Sequence, residues 1–255
     1  LGGAFYPVDM TKEEFEKYLA ENPDEKEVLT SQYTVVTREN GRLKAVPYHE
    51  YYPEVMQAAD YIDSAAAYAD NPSLKKYLSL RAEALRTDEY HESDLAWMDL
   101  EGNDIDVVIG PIENYEDALF NYKTAYEAMI MVRDEEASKE LEMFRNNLNK
   151  LEENIPYTGK EYKKGEPKKT VMQIVNIVYF GGDCNKGVKT IANSLPNDPM
   201  IHETKGSKKS MFKNMMEAKF DKIVVPIANT ILAEKFAKNV DKKAFTSFVT
   251  DRKST

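Results

Sequence analysis

Apolar residues recur along this chain at two spacings, and the switches between them mark its elements. Thr11 followed by Glu14 forms a capping box, and EEFEKYLAEN continues it as a short amphipathic helix that ends before Pro23. Tyr33 to Pro47 (YTVVTRENGRLKAVP) holds two β-rich runs joined by a turn containing Asn40 and Gly41, which predicts a hairpin. Pro53 opens a long helix over YPEVMQAADYIDSAAAYA. Asn71-Pro72-Ser73 starts another, with apolar positions at Leu74, Tyr77, Leu78 and Leu80. Ile105 to Ile109 (IDVVI) reads as a strand.

From Leu119 to about Leu151 the pattern predicts helix, in two pieces broken near Asp134. The segment 157–169 (YTGKEYKKGEPKK) is rich in lysine and glycine and reads as an exposed loop. Val171 to Phe180 (VMQIVNIVYF), stopped by Gly181-Gly182, predicts a buried strand, although its spacing also fits one helical face. Residues 208–224 are expected to hold a further strand pair, and Pro226 to cap a last helix over IANTILAEKFAKN. No internal repeat is visible. The expected fold class is α+β, helix-rich, with a small, mostly antiparallel sheet or partial barrel at its centre.

At 255 residues the chain is long enough for one large domain or two small ones. Its 34 basic and 44 acidic residues give a net charge of −10, which argues against nucleic acid and mildly favours cationic ligands such as peptide amino termini. A single cysteine, Cys184, excludes a disulfide within the chain and a cysteine-based zinc site. No stretch approaches the ~18 apolar residues of a membrane-spanning helix. The opening LGGAFYP has neither a methionine nor a charged-then-apolar leader, which leaves the compartment open, cytoplasmic or exported.

Each of the three histidines is followed by glutamate: His49-Glu50, His91-Glu92 and His202-Glu203. A zincin helix needs a second histidine four residues on, and those positions are Pro53, Leu95 and Gly206. The pairs therefore read as surface or turn pairs, and no metal is assigned. Cys184, in GGDCNKG, has no histidine near it in sequence and reads as a bystander; that stretch also lacks the patterns of a phosphate loop. The lysines of KGSKKSMFKN (205–214) read as a solvated face. GPIENYED (110–117) is the stretch with most chemistry. If Glu113 and Tyr115 alternate at the strand's end they share one side, where a carboxylate can pair with an ammonium and a phenol can donate to a carbonyl. Composition alone favours a polar turn at a sheet edge.

The order of the motifs bears on that choice. Trp97-Met98-Asp99, IDVVIGPIENYED, FGGDCNKG, SLPND and HETKGSKKSMFKN, together with AFYP and VPYHEYY, resemble the dipeptidyl-peptidase III family of zinc metallopeptidases. They look most like its bacterial branch, which is also found as a region of plant Nudix-type hydrolases. The resemblance runs over nearly the whole chain. It implies one lobe of a two-lobed peptidase that releases dipeptides from peptide amino termini, with residues 1–255 as the amino-terminal, substrate-binding part. It further implies that Glu113 binds the substrate's amino group and Tyr115 acts on the carbonyl at the scissile bond. Asn197 would hold the amino-terminal end. Many relatives carry another asparagine just before the apolar-Pro-Asn, where this chain has Ser194, with Asn193 one place earlier.

The family's zinc is held by an HExxGH helix and a later glutamate, and none of the 255 residues forms that motif. The expectation is therefore a chain without a zinc cofactor of its own, inactive alone, whose partners are an oligopeptide substrate and a missing C-terminal catalytic region. Dimerisation through the apolar surface left by that missing lobe is a further expectation. A stand-alone peptide-binding protein is the alternative. A magnesium hydrolase built on Asp99, Glu113, Glu116 and Asp117 is a second alternative.

Overall fold

The computed structural model describes residues 4–154, 170–186 and 189–231. Local chemistry sets the amino-terminal elements as expected. Thr11 Oγ1 accepts the amide of Glu14 at 3.1 Å and starts helix α1 (Lys12–Glu21). A short α2 (Lys26–Thr30) leads into the hairpin β1 (Thr34–Glu39) and β2 (Arg42–Pro47). Asn40 and Gly41 both take positive φ, 50° and 77°, the twist that a two-residue hairpin turn requires. After α3 (Tyr48–Tyr51), helices α4 (Pro53–Tyr68) and α5 (Pro72–Thr87) form a packed pair. Asn71 caps α5 by accepting from Leu74 N at 2.9 Å, and α6 (His91–Met98) lies against its far end.

The central sheet has five strands: β3 (Ile105–Glu113), β4 (Ala125–Arg133), β5 (Thr170–Gly182), β6 (Ala192–Leu195) and β7 (Ser207–Phe212). Their order is β3-β4-β5-β7-β6, antiparallel except for the parallel β5–β7 pair. The architecture is α+β, a helix-rich assembly around a mixed sheet that does not close into a barrel. Val108, Met129, Met131, Val175, Ile177 and Phe212 bury one face of the sheet against α5 and α6.

Two expectations are corrected here. Residues 125–133 form strand β4 and not helix. Ala125, Glu127, Met129 and Met131 are buried while the intervening residues are not, a strand period written in good helix formers. Helix α7 (Glu135–Glu153) begins only beyond Asp134. Within 208–224 there is one strand, β7, whose antiparallel partner is the upstream β6. The chain then becomes helical through α8's successor α9 (Lys213–Lys219) and α10 (Val225–Ile231), α8 itself being Pro199–Thr204. A π-helical stretch, Phe220–Val224, joins α9 to α10 just before Pro226, whose missing N–H interrupts the regular ladder. The lysine-rich loop at 157–169 and the last helix past Ile231 lie outside the described residues.

The lysines of 205–214 are not all solvated either. Lys208 is buried in β7: its Nζ donates to Trp97 O at 2.9 Å, lies 4.1 Å from the Trp97 ring and 3.6 Å from Asp106. Asp106, fully buried on β3, also accepts from Trp97 Nε1 at 2.8 Å and Gln173 Nε2 at 2.7 Å. This network ties three strands to α6. Burial pulls the Lys208 ammonium below its ordinary range, and Asp106 opposes that pull.

Candidate functional site

At one end of the sheet a cavity of about 550 Å3 lies between the end of β3, the start of β4, the turn after β5, and β6. Its wall includes Glu113, Tyr115, Asn193, Ser194 and Asn197, all five residues singled out in the sequence. Topology brings them together. Asn193 and Ser194 lie on β6, and Asn197 follows in the loop to α8, where its Nδ2 donates to Ile112 O at 3.0 Å and Glu113 Oε2 at 3.1 Å. That pair leaves the Asn197 carbonyl oxygen unused.

Glu113 reaches the cavity through an irregularity. On β3 the core-facing positions are even-numbered, Asp106 and Val108, so an unbroken strand would turn position 113 to the other face. A bulge between Pro111 and Glu113 shifts the register and sets Glu113 opposite Ala125. Tyr115 lies beyond the strand's end, 77% exposed, so it joins Glu113 at the cavity through the turn rather than by strand alternation. Asp117 has another task. Fully buried, it accepts from Tyr6 OH and from the amides of Leu119, Phe120, Tyr122 and Lys123, and so shapes the loop between β3 and β4. The acids of GPIENYED thus divide between a site and a turn.

Three further carboxylates line the cavity, Glu116, Glu127 and Asp183. Glu127 continues the buried row of β4, and its register partners are Gly110 on β3 and Gly182 on β5. Gly182 has φ of 64°, and a Cβ there would meet Tyr126 O at 2.1 Å, so this crossing accepts only glycine. Burial first, then the charges of Glu113 and Asp183, push the Glu127 carboxyl up to about 7. Burial also raises Glu113, against the hydrogen bond from Asn197. Asp183 Oδ1 and Asn193 Oδ1 are buried without hydrogen-bond partners. Lys186 Nζ, from an exposed position, approaches that same Asp183 oxygen at 3.5 Å and offsets part of its charge.

The cavity wall is therefore rich in acceptors, and among the described residues Asn193 Oδ1 meets no donor. Such a surface suits a ligand with several N–H groups and a positive charge, and an ammonium supplies three. Among the described residues no group of three or more His, Cys, Asp or Glu side chains could hold a metal ion. His49 pairs with Asp88 at 2.8 Å, His91 pairs with Asp198 at 3.2 Å, and His202 contacts the Pro196 carbonyl. Of the four acids of the magnesium alternative, Asp99 is paired with Lys205 and Asp117 is occupied by backbone amides, while Glu113 and Glu116 line the cavity. Cys184 lines the cavity as a buried thiol donating to Gly181 O and Ala128 O, and burial raises its pKa, which is the reverse of an activated nucleophile.

Comparison with known proteins decides the lineage. Residues 8–250 match the sequence model of Peptidase family M49. The chain belongs to that family. Its fold superposes on the structure of DPP III from Caldithrix abyssi with a TM-score of 0.86 and 52% identity, over 89% of this chain and 44% of that one. The dipeptidyl-peptidase III of Corallococcus sp. strain EGB gives 0.82 and 38% identity, over 97% of this chain and 47% of that one. A plant relative, Nudix hydrolase 3 of Arabidopsis thaliana, is 36% identical over 267 residues, 96% of this chain and 34% of its own length. The chain thus spans about a third to a half of the length of these M49-related proteins.

Sequence reasoning missed Glu127 and Asp183. Both depend on β4: reading 119–133 as helix hid Glu127, and Asp183 faces the cavity only because β5 runs beside β4. The alternation of AYEAMIMVR was the available signal.

Proposed function

We propose that this chain is the amino-terminal, substrate-binding part of a dipeptidyl-peptidase III-type zinc metallopeptidase, and that it grips the amino terminus of an oligopeptide. The observation that carries the reading is the gathering of Glu113, Asn193, Asn197, Glu127 and Asp183 around one cavity, an acidic, acceptor-rich wall. Glu113 and Asn197 bind the peptide's ammonium, Asn193 and Ser194 line its path, and Tyr115 at the rim offers a phenol to the carbonyl two residues on. The M49 family match and the two DPP III structures support this assignment. Since the 255 residues hold no HExxGH motif, the zinc chemistry belongs to a region outside them, and this chain alone should release no dipeptide.

The test is an NMR titration of the chain with tetra-alanine and with N-acetyl tetra-alanine. Removing the ammonium should weaken binding about tenfold or more, the worth of a hydrogen bond to a charged group. Equal affinity for the two peptides would overturn the grip. Dipeptide release by the pure chain, abolished by chelator, would overturn the non-catalytic assignment.

A further inference from the structure

Two of the three histidines bracket Asn197. His202, on α8, donates from Nε2 to the carbonyl oxygen of Pro196, the residue before Asn197. His91, the first residue of α6, pairs through Nδ1 with Oδ2 of Asp198, the residue after it, at 3.2 Å. The other oxygen of Asp198 accepts the amides of Met200 and Ile201 at 2.8 and 3.4 Å, and Ile201 is fully buried. Positions 196 and 198 are therefore fixed from two different helices.

Asn197 itself is exposed, and among the described residues its side chain is held only by Ile112 O and Glu113. An exposed asparagine on an unpinned loop would lose rotamer and backbone freedom on meeting a ligand, and that entropy would come out of binding. We propose that His91 and His202 are positioning residues for the substrate grip: His202 holds the peptide plane before Asn197 and His91 holds the Asp198 side chain after it, so that the Asn197 amide meets Glu113 before a peptide arrives. This rests on the reading that Asn197 takes the amino end of the peptide. Imidazole suits the task because it donates to a carbonyl in its neutral form, and its two torsions cost little to order. These histidines stand in His-Glu pairs without the spacing of a zincin helix, and the bracket gives them a use.

The experiment uses this chain with tetra-alanine and its N-acetyl form, in wild type, His91→Ala, His202→Ala and His202→Gln. Each alanine variant should bind the free-amine peptide at least fivefold more weakly and the acetylated one within twofold of wild type. His202→Gln, which restores an N–H donor, should return within twofold. A second readout needs no ligand: 15N relaxation of the Asn197 side-chain amide should show lower order in the alanine variants and recovery in His202→Gln. A merely structural role would lower thermal stability in step with the loss of side chain and would leave the discrimination between the two peptides unchanged. Wild type that discriminates, with alanine variants that bind alike and keep Asn197 ordered, would overturn the bracket while leaving the grip standing. Wild type that does not discriminate would overturn the grip, and this inference with it.

Discussion

Glu113 and Glu127 face the same cavity from neighbouring strands, and a bulge in β3 is the reason. Glu113 stands opposite Ala125, two residues from Glu127 along β4, so the two carboxylates are diagonal neighbours on one face. Without the bulge Glu113 would lie on the opposite face with Ile105 and Val107. The strand is distorted where the cavity opens, and the distortion places two like charges close enough to affect each other.

The first prediction concerns Glu127 and pH. Its carboxyl stands at about 7 in the fold against 4.5 for a free glutamate, through burial first and then the charges of Glu113 and Asp183. Below about pH 4.5 it is protonated in both folded and unfolded chains and costs nothing. As pH rises from there to 7 the unfolded chain releases its proton first, so stability falls; above 7 the cost is constant at about 3 kcal/mol or less. Glu127→Gln should therefore stabilise the chain by about 1–3 kcal/mol at pH 8 and scarcely at all at pH 4.5. Urea unfolding of both proteins at the two pH values checks this. An equal effect at both would mean that the ionised carboxylate is not what the fold resists.

Much of the fold was legible because it is written in local chemistry. Thr11 and Glu14, Asn40-Gly41 and Asn71-Pro72 each satisfy or terminate backbone groups within a few residues, and each element appeared where they placed it. What was illegible is tertiary. Ala125, Glu127, Ala128 and Met129 are helix formers made into a strand by pairing on both sides, with β3 and β5. β6 has four residues and exists by pairing with β7. The site divided the same way: Glu113, Tyr115 and Asn197 stood out through their motifs, whereas Glu127 required knowing that β4 is a strand. Lys208 read as solvated because lysine ordinarily is, and only the sheet's geometry shows it over Trp97.

A second prediction tests that buried lysine. Lys208→Met removes the cation 3.6 Å from fully buried Asp106 and leaves the carboxylate with neutral donors alone. Breaking one side of a buried pair costs about 3–5 kcal/mol. The double variant Lys208→Met/Asp106→Asn should be less damaging than the single, because no buried charge is stranded. Denaturant midpoints of the wild type and the three variants complete the cycle, and strict additivity would show that the two residues act separately.

Gly182 yields a third. A methyl group there would sit 2.1 Å from Tyr126 O on a backbone with φ of 64°, where two objections coincide. Gly182→Ala should cost about 3 kcal/mol or more and loosen the β4–β5 pairing next to Glu127. Hydrogen exchange should quicken at Glu127 and Ala128 while the β1–β2 hairpin keeps its protection. Uniform quickening across both sheets would point instead to global destabilisation without a local break.

The last prediction separates the two halves of the proposed grip. Glu113→Gln keeps an oxygen for the Asn197 amide but removes the charge, so the fold should hold while tetra-alanine binds about tenfold more weakly. Its N-acetyl form should bind unchanged. Tyr115 is largely exposed, so Tyr115→Phe should shift stability by no more than about 0.5 kcal/mol and leave peptide affinity within a factor of about two. Under the proposed function its effect belongs to the transition state. In a longer protein carrying this chain together with the zinc-binding region, loss of a hydroxyl aimed at a developing oxyanion should lower kcat by about a hundredfold, with KM little changed. If Glu113→Gln lowers stability and leaves both peptides bound as before, the carboxylate serves the sheet's end rather than a substrate. If Tyr115→Phe raises KM and spares kcat, the phenol is a ground-state contact, and the role in catalysis must pass to another group on the cavity wall.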